Sequence, residues 1–102
     1  MEKMFMVKDG WLTITMPEEM DHHKAEEIRE GADDYLLTGK VLHVIFDFSN
    51  TRFMDSSGIG VIAGRYKKVS CYGGKVVAAH ANSRIRKIIM LSGLTDLIEI
   101  VD

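Results

Sequence analysis

The residues that could do chemistry gather in one short stretch, Asp55-Ser56-Ser57-Gly58-Ile59-Gly60. An apolar run, Val41 to Asp47, leads towards it, and an apolar-periodic segment follows. That pattern reads as strand, exposed loop, helix, with Ser56 and Ser57 at the helix start. A hydroxyl placed there can be offered to a partner protein or to a modifying enzyme. It is not equipped to be a nucleophile. There is no G-x-S-x-G elbow, and Asp55 alone cannot replace a positioned base. A helix cap is the plainest role for such a segment, and Ser57 is read as structural, its hydroxyl capping the helix.

Other reactive side chains are weaker candidates. His22 and His23 follow Asp21, which invites a metal. Neighbours on a helix point about 100° apart and do not easily chelate one ion. His43 and His80 fall on other elements, and no cysteine pair accompanies them. The pair can still titrate near neutrality and tune a surface. The glycines match neither a phosphate loop nor a dinucleotide fingerprint. Arg65, Lys67 and Lys68 are expected on the exposed side of one helix, and Arg84, Arg86 and Lys87 on another; such runs are usually solvated faces. Cys71, near a helix end, is expected to be partly buried and unreactive.

The elements that must position these groups follow from periodicity and breakers. Asp9-Gly10 between Phe5-Met6-Val7-Lys8 and Trp11 to Met16 signals a hairpin. Pro17 ends the second strand. Asp21 is a good N-cap for a helix over about 22–37, with Ala25, Ile28, Ala32, Tyr35 and Leu36 on one face and Gly39 as its stop. Val41 to Asp47 is apolar enough for a central strand covered on both faces. The helix from Ser57 to Val69 carries Ile59, Ile62, Ala63, Tyr66 and Val69 inward, and Gly60 and Gly64 are expected to let it approach a sheet closely. Lys75 to Ala79 is a strand. Asn82 or Ser83 caps a helix bearing Ile85, Ile88, Ile89 and Leu91, stopped at Gly93. Leu97 to Val101 is a last strand. The order β-β-α-β-α-β-α-β implies an α/β fold: a mixed, mostly parallel sheet with an N-terminal hairpin and helices packed on it.

Composition sets bounds on function. The 102 residues suffice for one domain, expected over 1–102. A net charge of −2 draws the chain to neither nucleic acid nor anionic lipid. No apolar run nears the roughly 18 residues of a membrane span, and the N-terminus does not read as a signal peptide. With one cysteine there is no internal disulfide. These features point to a cytoplasmic protein without a cofactor.

The segment from Asp55 to Lys67 closely resembles the anti-sigma factor antagonists of the STAS domain family. Met20-Asp21-His22-His23-Lys24-Ala25-Glu26 is similar to the family's entry into its first helix. Leu42 to Phe48, Gly73 to Val77 and Ile85 to Leu94 match in the family's order, so the resemblance covers nearly the whole chain. The Asp-His-His segment narrows it towards the sporulation-type anti-anti-sigma factor. That resemblance implies a non-enzymatic switch. The unmodified protein would bind an anti-sigma factor that is also a serine kinase and so free the sigma factor. The kinase would phosphorylate Ser56 and release the antagonist, and a serine phosphatase would reset it. The partner surface carried over comprises Asp21, His22, Asp55, Ser56, Ser57, Gly58 and Ile59. A STAS scaffold in another kinase/phosphatase cascade is the alternative; a small nucleotide-binding or hydrolysing protein is the reading from another class. Two departures stand out. Pro17-Glu18-Glu19 replaces a turn that commonly holds glycine, and many relatives continue past the last strand into a helix that covers the sheet. Without such a cover, apolar surface would favour a weak homodimer.

Overall fold

The computed structural model describes residues 3–102. β1 (Phe5–Lys8) and β2 (Trp11–Thr15) form the hairpin, paired from Phe5↔Ile14 to Lys8↔Trp11. Asp9 (φ 52°) and Gly10 (φ 83°) both adopt the left-handed region. Two-residue turns of that kind match the twist of the flanking strands. After β2 come β3 (Glu19–Met20), α1 (His22–Leu36), β4 (His43–Asp47), β5 (Phe53–Met54), α2 (Ser56–Ser70), β6 (Val76–Ala79), α3 (Ser83–Leu91) and β7 (Glu99–Val101). A single 3-10 turn, Leu94–Asp96, precedes β7.

The main sheet runs β1-β2-β4-β6-β7, with β2, β4, β6 and β7 parallel. Parallel neighbours need crossovers, and α1, α2 and α3 supply them. All three contribute to one apolar core: Ala25 and Ile28 from α1, Val61 and Ile62 from α2, Ile85 and Ile89 from α3. The sheet answers with Leu12, Ile14, Val44, Phe46, Val76 and Ala78, residues of one alternation phase. The helices therefore pack on the same face. The expectation that the strand after Val41 is covered on both faces is corrected by this: Val44 and Phe46 are buried, while His43, Ile45 and Asp47 are only half-buried. The strand buried along its whole length is β6.

Two further expectations change. β3 and β5 pair in parallel as a separate two-stranded sheet that periodicity did not reveal. Two residues are too few to display an alternation. The buried stripe of α2 is Gly58, Val61, Ile62, Arg65 and Val69. Ile59, Ala63 and Tyr66 flank it, half-buried. Gly60 and Gly64 point into open space and bring no sheet close. The crowded glycines are Gly58 against Met54 and Met20, Gly31 against Phe5, and Gly74 against the Leu42 carbonyl and Val69.

These glycines separate by sign. Gly74→Ala drives a methyl into backbone and should lower stability by about 1–3 kcal/mol. Gly60→Ala removes a helix glycine where nothing obstructs a Cβ and should raise it by about 0.5–1 kcal/mol. Urea unfolding midpoints of the two variants should move in opposite directions; movement together would contradict the packing described.

Candidate functional site

The loop sequences that open α1 and α2 are tied to each other before the helices begin. Glu19 pairs with Phe53 and Met20 with Met54. The Glu18 carbonyl accepts from the N–H groups of Arg52 (2.8 Å) and Phe53 (3.2 Å), and the Met20 carbonyl accepts from Asp55 N–H (3.0 Å). The stretch from Pro17 thus leads directly into a strand. Because the pairing is parallel and in register, the next residues, Asp21 and Asp55, stand side by side.

Both aspartates are N-caps with extended backbones. Asp21 accepts from His23 N–H (3.0 Å) and Lys24 N–H (3.2 Å). Asp55 accepts from Ser57 N–H at 2.8 Å, and its carbonyl accepts from Gly58 N–H. The cap of α2 is therefore Asp55, and the assignment of that role to the Ser57 hydroxyl is corrected. Serine and aspartate cap equally well, and the start of the helix at Ser56 leaves the aspartate in the capping position.

That leaves Ser56 as the first residue of α2, exposed, with no protein partner on its hydroxyl among the described residues. Its N–H also lacks an intrahelical acceptor. Ser57 is half-buried, Gly58 buried and Ile59 half-buried. A Cβ at Gly58 would displace the side chains of Met54 and Met20, which occupy the space it would fill. The same two methionines, both buried, floor the paired loops. His22 is exposed at the first position of α1, its ring 4.0 Å from that of His23. The structure thus brings Asp21, His22 and the run Asp55 to Ile59 together at two adjoining helix starts. Among the described residues, no group of three or more His, Cys, Asp or Glu could hold a metal ion, and no helix is long and apolar enough to cross a membrane.

A second tie lies further down the same helices. Arg65, expected on the solvated face, is 4% exposed. Its Nε lies 3.2 Å from Asp33 Oδ1, and Lys68 Nζ lies 3.4 Å from Asp33 Oδ2. The geometry leaves Arg65 Nε, Nη1 and Asp33 Oδ1 without a well-formed hydrogen bond. Burial holds the Arg65 pKa below its usual value; Asp33 opposes that shift and Arg29 adds to it. Sequence spacing carried a signal for this: Arg65 falls midway between Val61 and Val69, in the buried stripe. Cys71, by contrast, is exposed rather than partly buried, because it is the C-cap of α2 and lies off the buried stripe that ends at Val69.

Two predictions test this framework. Asp55→Ala should cost about 0.5–2 kcal/mol of stability, and Ser57→Ala less than about 0.5 kcal/mol; the reverse order in urea unfolding would restore the serine as cap. Asp33→Ala strands a buried guanidinium and should cost about 3 kcal/mol, whereas Arg65→Met, which leaves Asp33 with Lys68, should cost clearly less. Thermal unfolding of both variants decides this, and equal losses would contradict it.

Comparison with known proteins places the fold. Solved structures that share the architecture include two of SpoIIAA. The anti-sigma factor antagonist SpoIIAA in its unphosphorylated form is 28% identical, with a TM-score of 0.79 over 96% of this chain and 87% of that one. The Bacillus cell fate determinant SpoIIAA in the phosphorylated form is 30% identical, with a TM-score of 0.77 over 96% and 91%. In sequence, an anti-sigma F factor antagonist of Paenibacillus polymyxa is 33% identical over 91% of this chain and 80% of its own length. An anti-sigma-B factor antagonist of Listeria monocytogenes is 29% identical over 87% and 77%. The STAS domain family matches residues 3–102. With its hairpin, its one-sided layer of helices and its paired helix starts, the chain belongs to the STAS domain family.

Proposed function

We propose that this protein is an anti-sigma factor antagonist that works as a binding switch with no chemistry of its own. Unmodified, it binds an anti-sigma factor that is also a serine kinase, and the sigma factor is freed. That kinase phosphorylates Ser56, the complex separates, and a serine phosphatase restores the first state. The cycle belongs to the cytoplasm, where sigma factors act.

One observation carries the reading: Ser56 is exposed and unengaged at the first position of α2, one residue after a carboxylate already committed to the helix. A kinase can reach this hydroxyl without disturbing a bond. Phosphate there adds about −1.5 to −2 charges beside Asp55 and close to Asp21. The helix start tolerates negative charge, so the fold should survive. A partner docked over the two helix starts would meet bulk, repulsion and an anion to desolvate. The likeness to SpoIIAA in both its unphosphorylated and phosphorylated forms supports a change confined to the surface. The relatives include antagonists named for anti-sigma F and for anti-sigma-B factors alike.

A pull-down from native lysate with wild type, Ser56→Ala and Ser56→Asp as baits tests the switch. A GHKL-type serine kinase should be retained by the first two and lost by the third. The Ser56→Asp melting curve should stay close to that of wild type. Retention of one partner by all three baits would contradict Ser56 as the control point and favour a scaffold in another cascade.

A further inference from the structure

All three helices lie on one face of the sheet, and the opposite face carries a pattern of its own. Strand register sets Thr13, Ile45 and Val77 in one row, with Met6 at the β1 edge and Glu99 at the β7 edge. Met6 is 60% exposed, Thr13 and Ile45 are half-buried, and none of the three packs against the core. One step towards the strand starts are Trp11 and His43, their rings 4.4 Å apart. One step towards the strand ends are Thr15 and Asp47. The central strand therefore reads His43, Ile45, Asp47 across this face: an imidazole whose Nδ1 accepts from Lys75 N–H (2.9 Å) and whose Nε2 is left as the free donor, an apolar centre and a carboxylate.

We propose that this face binds a second copy of the same chain, by a two-fold axis running in the sheet plane across the strands through Ile45. Such an axis reverses strand direction between copies. It stacks Ile45 on its own copy and Thr13 on its own copy, and lays Trp11 over the partner's Thr15. It also brings the His43 of each copy to the Asp47 of the other, twice by symmetry. The alternative axis, along the strands, would oppose Asp47 to Asp47 and is disfavoured by charge. In the chosen arrangement the one charged residue of the row, Glu99, exposed at the edge, meets its own copy. The face spans five strands at ~4.8 Å and about four or five residues at ~3.3 Å, a plane of roughly 24 by 15 Å. That is small for a specific interface, so the dimer is weak. The helix starts with Ser56 lie at the strand-end rim. Antiparallel stacking leaves one at each end of the dimer, both free.

Sedimentation equilibrium of the full chain over roughly 10 µM to 1 mM tests this. The wild-type mass should rise from 11.5 kDa towards twice that value. Ile45→Glu should weaken association at least ~tenfold while keeping the wild-type melting curve. His43→Asp and Asp47→His should each weaken it, the double variant should recover it, and Glu99→Gln should tighten it. A wild type that stays at 11.5 kDa throughout overturns the proposal. So does a dimer indifferent to Ile45→Glu, which would place the contact on another surface.

Discussion

The arrangement depends on two residues pairing with two others. Glu19-Met20 and Phe53-Met54 form the shortest ladder in the molecule, closed by the bond from Asp55 N–H to the Met20 carbonyl. Those loops are separated by a helix and a strand in the chain, and without the ladder they would be independent. With it, two caps fall side by side and two helices start from one ridge. The floor is apolar and flexible in shape: Met20 and Met54 fill the space under Gly58, and methionine adapts to such irregular gaps. A side chain at position 58 would press on both methionines at once and force them to repack beneath the loops that they support.

The same two helices are fixed again further along, by a pairing that is poor as a source of stability. Arg65 is almost fully buried and incompletely hydrogen-bonded, and its partner Asp33 is shared with Lys68. Burying a guanidinium on such terms gains little, since apolar residues of similar volume often serve as well or better. What the pair does contribute is position. Twelve residues beyond Asp21 and ten beyond Asp55, it couples one place on α1 to one place on α2. Helices held at two levels cannot slide, and the ridge of helix starts stays in one shape. The proposed switch would draw on that constancy, since it asks a partner to read one phosphate on an otherwise unaltered fold.

Much of this was legible in the sequence, and the remainder was hidden for identifiable reasons. Local chemistry read well. Asp9-Gly10 made the hairpin, Asp21 and Asn82 made their caps, and the helices end where glycines and loops intervene. These features depend on a few neighbouring residues. The residues named for the partner surface sit on two helix starts, which local capping signals mark. What escaped depends on distant neighbours. The β3–β5 ladder has no period to detect. Arg65 looks like a surface residue by type, and only its spacing with Val61 and Val69 betrays it. The cap of α2 was misplaced within Asp55-Ser56-Ser57, where each residue type is a competent cap and only the backbone decides. The helix glycines were read as a close approach to the sheet, but the sheet lies on the other side of α2 from Gly60.

The central claim is that one hydroxyl, Ser56, carries the switch. The direct measurement is tandem mass spectrometry of the protein isolated from its own cells, with the phosphate located by fragmentation. A single phosphate on Ser56, on a protein whose near-ultraviolet circular dichroism matches that of the unmodified form, is the result expected. A phosphate confined to Ser57 or to any other residue, or one on Ser56 that unfolds the chain, would contradict it.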